Sequence, residues 1–335
     1  MTALPAIALF GDGPWAAGSL ELLASEGYPI VGVIERVSPS DATLGDVARA
    51  LRVPLLRPAN AGAPAFAAEL AALAPDLGLS ISYNQILRRS VLSLPRLGVV
   101  NFHAGMLPRY RGRNVINWAI INGEEEIGLT AHLVDEGIDT GAIVLQRALP
   151  IGWTDNYGDV LRRVVAAFPA LVVDTVRLVA SGRATPTPQD ESAATYFGGR
   201  ENGDEWLDWS DTSRHLHDKI RGISRPGPGA RTMLGDSELV IWRAYYDPSW
   251  PSYTATPGQV VGRCADGAAI VKTGDSTIQV SEVQRAGEES GAPSWRIGTR
   301  LGVNLAECLR AMNARLSALE QWVGHDSGRE QYDPS

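Results

Sequence analysis

Residues 6–34 read AIALFGDGPWAAGSLELLASEGYPIVGVI. A short apolar run, Ala6 to Phe10, meets a glycine-bearing turn, Gly11-Asp12-Gly13, and a helical stretch around 16–26 follows before Ile30 to Ile34 return as a second β-branched run. That order, strand then helix then strand, is a βαβ unit with its strands parallel. The same turn satisfies the permissive dinucleotide pattern Gly11-x-Gly13-x-x-Ala16, with Glu35 at the end of the second strand where a ribose-binding carboxylate would stand. An NAD-dependent oxidoreductase is therefore the alternative from another enzyme class. Pro14 and Trp15 argue against it, because they put a rigid ring and a bulky indole where a pyrophosphate needs bare backbone. A sharp turn is the better reading, since glycine is suited to a positive φ.

The alternation continues. Helices are expected at 44–51 and 65–73, strands at 77–82 and 98–102, and a helix at 113–121 stopped by Asn122-Gly123; strands at 128–134 and 142–150 and a helix at 156–181 complete the set. The fold class is α/β, a Rossmann-like, mostly parallel sheet, with its catalytic domain at 1–190. The stretch GRATPTPQDESAATYFGGRENGD (182–204) favours turns over packing, so 191–204 reads as a linker. From 205 to 335 a smaller, β-rich, OB-like domain is expected. It has a helix at 211–223, a Pro226-Gly227-Pro228-Gly229 stop, short alternating runs between 239 and 283, and a terminal helix at 303–323.

Lysine and arginine number 30 against 38 aspartates and glutamates in 335 residues, a net charge of −8. A surplus of negative charge repels polyanions, which argues against binding bulk nucleic acid. Two cysteines, Cys264 and Cys308, without CxxC spacing give neither a disulfide scaffold nor a thiolate zinc site, and no metal is expected. The most apolar long stretch, 164–180, is interrupted by Pro169, Asp174 and Arg177, whereas a membrane span needs about 20 nearly unbroken apolar residues. With no basic, apolar leader in MTALPAIALFGDG, a cytoplasmic protein is expected.

The chemistry is concentrated in GVVNFHAGMLPRYRGRNVINWAIINGEEEIGLTAHLVDEGIDTGAIVLQ, residues 98–146. Asn101 and His103 stand two apart at the end of a strand, so both side chains point to one face near the carboxyl edge of the sheet, where open α/β sheets bind ligands. Asp139 lies in a glycine-containing loop able to return a carboxylate to the imidazole. Together they suit acyl transfer to an amine: His103 as the base, Asn101 as the oxyanion donor, Asp139 orienting the imidazole. His132 shares a strand with Thr130 and is expected to point inward and support the site rather than react.

This stretch resembles the signature of the N10-formyltetrahydrofolate-dependent formyltransferases. The matching features are Asn101-x-His103, Leu107-Pro108-x-Tyr110-Arg111-Gly112, Trp118-Ala119-Ile120-x-Asn122-Gly123-Glu124, Gly128-x-Thr130-x-His132 and Asp139-x-Gly141. The opening βα turn, residues 82–92, and the 208–230 and 257–284 segments are similar as well, so the resemblance covers residues 5–305. It implies Asn101, His103 and Asp139 as the catalytic set and N10-formyltetrahydrofolate as co-substrate. The folate pocket is implied at Gln85, Ile86 and Leu87 with the loop carrying Val134, Asp135 and Gly137. Acceptor contacts are implied at Tyr83, Met106, Tyr110, Arg111, Arg113 and Asn117.

Family acceptors include methionyl-tRNA, glycinamide ribonucleotide and nucleotide-linked amino sugars. The net charge and the Tyr110-Arg111-Gly112-Arg113…Asn117-Trp118 pattern, similar to the branch acting on dTDP- or UDP-linked amino sugars, favour an amino sugar over methionyl-tRNA or a small amine such as hydroxyornithine. A homodimer is a further expectation.

Overall fold

The computed structural model describes residues 4–303 and 305–326. Its chain divides into two compact units, the first running to Asp204 and taking in Asp218–Pro228, the second formed by Glu205–His217 and the chain from Gly229 onward. The 191–204 stretch, read above as a linker, is part of the first unit. Its composition favours turns, but turns can still dock by backbone pairing: Tyr196 and Phe197 pair in parallel with Arg111 and Gly112.

In the first unit β1 (Ile7–Gly11), α1 (Gly13–Ser25), β2 (Ile30–Glu35), α2 (Thr43–Ala50), β3 (Leu55–Leu56), α3 (Pro64–Ala72), β4 (Leu77–Ile81), α4 (Arg89–Leu92) and β5 (Val99–His103) follow in order. Then come β6 (Arg111–Gly112), α5 (Val115–Ile121), β7 (Glu126–Leu133), β8 (Ile143–Pro150), α6 (Tyr157–Ala180) and β9 (Tyr196–Phe197). The seven-stranded sheet has the order β3-β2-β1-β4-β5-β7-β8. Pairing is parallel from β3 to β5 and antiparallel at β5–β7 and β7–β8. Every residue of β1 and β4 is buried, as strands covered on both faces require. The short β3, β6 and β9 and the one-turn α4 carry no periodic signal in the sequence.

The anticipated turn is real. Gly13 has φ 75°, Pro14 occupies the first turn of α1, and a Cβ at Gly11 would lie 2.7 Å from that of Ala16. α6 starts on a reciprocal cap in which Asn156 accepts from the Asp159 N–H and Asp159 from the Asn156 N–H. Its Phe168 is buried against Trp15, ring centroids 5.3 Å apart, and joins the core shared with α1 and the sheet.

The second unit holds the start of α7 (Ser213–Gly222), whose end belongs to the first, and then β10 (Ala230–Leu234), β11 (Ser237–Tyr245), β12 (Val260–Arg263), β13 (Ala269–Lys272), β14 (Thr277–Arg285) and α8 (Leu305–Asp326). Its five-stranded antiparallel sheet has the order β10-β11-β14-β13-β12. No helix among the described residues is long and apolar enough to cross a membrane.

Replacing Phe168 by Ala should lower the unfolding free energy by about 3–5 kcal/mol, as emptied aromatic sites in cores do. Urea melts of the two proteins would show it, and a loss under 1 kcal/mol would mean that α1 and α6 are not locked through this ring.

Candidate active site

Cross-strand register assembles the site. Asn101 of β5 lies opposite His132 of β7, and His103 opposite Thr130. His132 Nδ1 lies 2.9 Å from the Leu133 carbonyl, an acceptor only, so that nitrogen carries the proton and Nε2 is left to accept from Asn101 Nδ2 at 3.1 Å. Thr130 donates to the Gly105 carbonyl (2.7 Å) and receives the Gln146 amide (2.7 Å), whose Nε2 also reaches the Leu107 carbonyl (3.0 Å). These bonds pin the chain that leaves β5. His103 Nε2 is 2.6 Å from the Tyr110 carbonyl, which fixes its proton on Nε2 in the neutral ring. A Cβ at Gly105 would come within 2.6 Å of both atoms of that bond, so only glycine fits beside it.

Asp139 closes the arrangement. Its φ is 55°, in the left-handed region, and its Oδ2 accepts from the Gly112 N–H at 2.9 Å. The same oxygen stands 3.6 Å from His103 Nδ1, while Oδ1 is 3.4 Å from both His132 Nε2 and Asn101 Nδ2. Asn101, His103 and Asp139 are therefore brought together across 38 residues of chain. At 3.6 Å the His103–Asp139 contact is too long for a hydrogen bond. The Tyr110 carbonyl, rather than Asp139, sets the His103 tautomer.

Burial pushes the His103 imidazole below its ordinary 6.5, although Asp139 and the Tyr110 carbonyl pull the other way and His132 adds to the depression. Burial also pushes the Asp139 carboxyl up, but His132, His103 and the Gly112 N–H outweigh it and hold the group at about 2. At neutral pH a neutral imidazole faces an anionic carboxylate.

The Asp139 loop is tied down by a segment that sequence reasoning missed. Gln189 donates from Nε2 to the carbonyls of Asp139 and Gly141, both at 2.7 Å, and its Oε1 accepts from Arg111 at 2.8 and 3.1 Å. Arg111 is completely buried, paired through both terminal nitrogens with Glu191 (2.7 and 2.8 Å) and bonded to the Tyr196 hydroxyl (2.5 Å). No motif marks Gln189, which lies in the turn-rich stretch. His132, by contrast, had a signal, since the alternation Thr130-x-His132 puts the two on one face of their strand.

Several expected contacts are turned inward. Arg111, expected on the acceptor, is enclosed by its ion pair. Asn117 is buried on α5 and donates to the Gly222 carbonyl at 2.7 Å. The Tyr110 ring is buried, stacked on Phe197 at 4.9 Å with its hydroxyl donated to Glu124, and only its carbonyl serves the site. Gln85 is held by the Ala61 N–H (2.7 Å) and the Pro58 carbonyl (2.9 Å), so its amide shapes the loop instead of reaching out. Asp135 accepts from the Gly137 N–H and the Thr140 hydroxyl, closing a turn of its own loop. Polar residues satisfied inside a fold read the same in sequence as polar residues facing a ligand. Arg113 is exposed and Met106 half-buried.

Tyr83, Leu87 and Val134 belong to one apolar cluster, and Ile86 and Ile138, on the loops that carry Leu87 and Val134, are largely exposed. The Tyr83 hydroxyl is buried without a hydrogen-bond partner, and burial raises it to about 12. An apolar wall with one unsatisfied donor fits a flat heteroaromatic ligand.

A family model described as formyl transferase matches residues 15–176, and one described as formyl transferase, C-terminal domain, matches residues 201–296. The methionyl-tRNA formyltransferase of Symbiobacterium thermophilum is 35% identical over 292 residues, 84% of this chain and 88% of its own. The chain belongs to the formyl transferase family. The methionyl-tRNA formyltransferase of Roseiflexus sp. is 36% identical over 324 residues, 94% of this formyltransferase and 98% of its own length. Among solved structures WlaRD, a sugar 3N-formyl transferase determined with dTDP and 5-N-formyl-THF, superposes with a TM-score of 0.67 at 20% identity, over 86% of this chain and all of that one. At that identity the likeness speaks for the fold. The dinucleotide reading gives way accordingly, and Glu35, its ribose-binding candidate, is fully buried and bonded to Arg57 at 2.5 and 2.8 Å.

Two measurements test this geometry. A carboxyl ordinarily at 3.8 and held at about 2 in the fold contributes stability above pH 4 that is lost as the pH falls through its folded value. The stability advantage of wild type over Asp139→Asn should therefore shrink by about 1 kcal/mol between pH 5 and pH 3 in urea titrations. A constant difference would mean that the ionised carboxylate is not what the fold stabilises. Gln189→Leu should lower kcat by about 10- to 100-fold, the usual cost of losing a group that orients a reacting residue, and Gln189→Glu should not rescue it, because a carboxylate keeps the Arg111 contact but cannot donate to the two loop carbonyls.

Proposed function

We propose that this formyltransferase moves a formyl group from N10-formyltetrahydrofolate to the primary amine of a nucleotide-linked amino sugar, at Asn101, His103 and Asp139. The observation that carries the reading is the convergence of a neutral imidazole and an amide donor on one largely enclosed carboxylate, His103 Nδ1 at 3.6 Å and Asn101 Nδ2 at 3.4 Å from Asp139. When bound, the folate supplies the activated formyl carbon. Tyr83, Ile86, Leu87 and Val134 would hold it, with Gly137 and the exposed Ile138 on the loop that carries Val134; the structure of WlaRD with 5-N-formyl-THF supports such a slot.

The proton chemistry follows from the tautomer. With Nε2–H given to the Tyr110 carbonyl, Nδ1 is the ring's free lone pair, and it accepts the proton that the amine loses. Asp139 then stabilises the imidazolium. One Asn101 N–H is held by His132, and the other, only weakly engaged at 3.4 Å, donates to the oxygen that becomes negative as the formyl carbon turns tetrahedral. The proton is returned to the departing nitrogen, leaving a formamide and tetrahydrofolate.

The amino-sugar acceptor is supported by the net charge of −8, by the resemblance at residues 110–118, and by the dTDP bound to WlaRD. With Tyr110, Arg111 and Asn117 enclosed, and Tyr83, expected on the acceptor, assigned here to the folate because it packs with Leu87 and Val134, recognition falls to Met106 and the exposed Arg113. A second reading, methionyl-tRNA, is favoured by the named relatives at 35% and 36% identity.

Incubation with N10-formyltetrahydrofolate and dTDP- or UDP-linked amino sugars, methionyl-tRNA or hydroxyornithine should release tetrahydrofolate with the sugars. Turnover with tRNA alone would replace the first acceptor by the second, and silence with every amine would remove the enzymatic reading. His103→Ala and Asn101→Ala should each lower kcat on the order of 10² to 10⁴. A loss under tenfold would deny them these roles.

A further inference from the structure

Among the described residues an open apolar stripe lies on α8, beyond both family matches, the later of which ends at residue 296. Leu309, Met312, Leu316 and Leu319 recur at intervals of three, four and three residues, the a and d positions of two successive heptads. All four are more than half exposed, and every residue from 308 to 322 is exposed, so over this length neither face of the helix is covered by its own chain. An amphipathic helix draws most of its stability from packing its apolar face, and this one shows no such packing.

The charges beside the stripe name its occupant. With Leu309 and Leu316 at a, Arg315 falls at g and Glu320 at e of the following heptad. In a parallel, in-register pair of helices, each g residue faces the e residue five positions further along its partner. Arg315 of each copy then meets Glu320 of the other, twice by symmetry. An antiparallel pair sets g against g and e against e and loses this match. Neither residue forms an ion pair within its own chain among the described residues, so both charges are available. We propose that α8 is the dimerisation element of this protein, pairing in parallel with the α8 of a second copy as a two-stranded coiled coil. The pairing is independent of which amine is formylated.

Sedimentation equilibrium of the full chain from 1 to 100 µM should give a monomer–dimer equilibrium. Leu316→Glu, which sets two carboxylates in the seam, should raise the dissociation constant at least tenfold while the thermal melt of the body is unchanged. Because an apolar-to-charged change can disturb folding, the charge pair supplies the independent check. Glu320→Arg should weaken the dimer several-fold by facing Arg315 with a like charge, and Arg315→Glu combined with Glu320→Arg should restore it to within twofold. A wild-type chain that is monomeric throughout, or one that forms trimers or tetramers, overturns the proposal. So does a dimer indifferent to Leu316→Glu, or a double variant as weak as Glu320→Arg alone.

Discussion

A carboxylate kept ionised inside the fold, that of Asp139, is the constraint to which the rest of the first unit answers. Removing such a group from water disfavours its charge, so its position is tenable only with donors and positive potential aimed at it. The Gly112 N–H supplies the one short bond and the Asn101 amide a weaker one at 3.4 Å, while the two imidazoles stand at 3.4 and 3.6 Å, where either ring stabilises the carboxylate once it takes up a proton. These partners come from three elements, Asn101 and His103 from β5, Gly112 from β6 and His132 from β7. The sheet brings Asn101 and His132 face to face by register, whereas Gly112 reaches Asp139 because β6 is itself paired with β9, nearly ninety residues away in the chain.

The backbone pays for that approach with conformations few residues tolerate. Asp139 is left-handed, Gly112 has φ 101°, and a Cβ on Gly112 would lie 2.2 Å from the Phe197 carbonyl. A Cβ on Gly141 would fall 1.7 Å from the Leu133 carbonyl. The loop therefore passes against β7 with no room for a side chain, and Gln189 bridges its two carbonyls from outside. The turn-rich stretch is structural in this sense. It delivers Gln189, Glu191 and Tyr196 to Arg111, and through Gln189 it restrains the carboxylate.

Much of this was legible in the sequence because it rests on local rules. Short apolar runs located β1, β4 and β5, the glycine-bearing turn located α1, and Asn101-x-His103 was placed on one face from spacing alone. α6 runs from Tyr157 to Ala180, against an expected 156–181, because its cap and its apolar stripe are both local signals. The site was less legible where direction decides. Arg111, Asn117 and Tyr110 sit in a motif rich in polar residues, yet their partners are Glu191, Gly222 and Glu124, and no spacing rule links positions 80 or 105 apart. A motif records which residues are needed without recording whether they face a ligand or the interior. Gln189 was invisible for the complementary reason: it lies in a stretch whose composition describes turns and whose role is set by what it touches.

The competing influences on His103 bear on the chemistry more than either does alone. Burial keeps the ring neutral at rest, which a base requires, but burial by itself would make it a weak one. Asp139 opposes that by standing 3.6 Å from the bare Nδ1, close enough to stabilise a proton arriving there and too far to draw one into a permanent bond. In the proposed reaction the imidazole therefore gains basicity as it becomes charged, when the amine gives up its proton. The arrangement also explains why the tautomer is set from the other side of the ring. A proton resting on Nδ1 would satisfy the carboxylate and leave no lone pair facing it, so the Tyr110 carbonyl must hold the proton on Nε2 for the gap at Nδ1 to stay open.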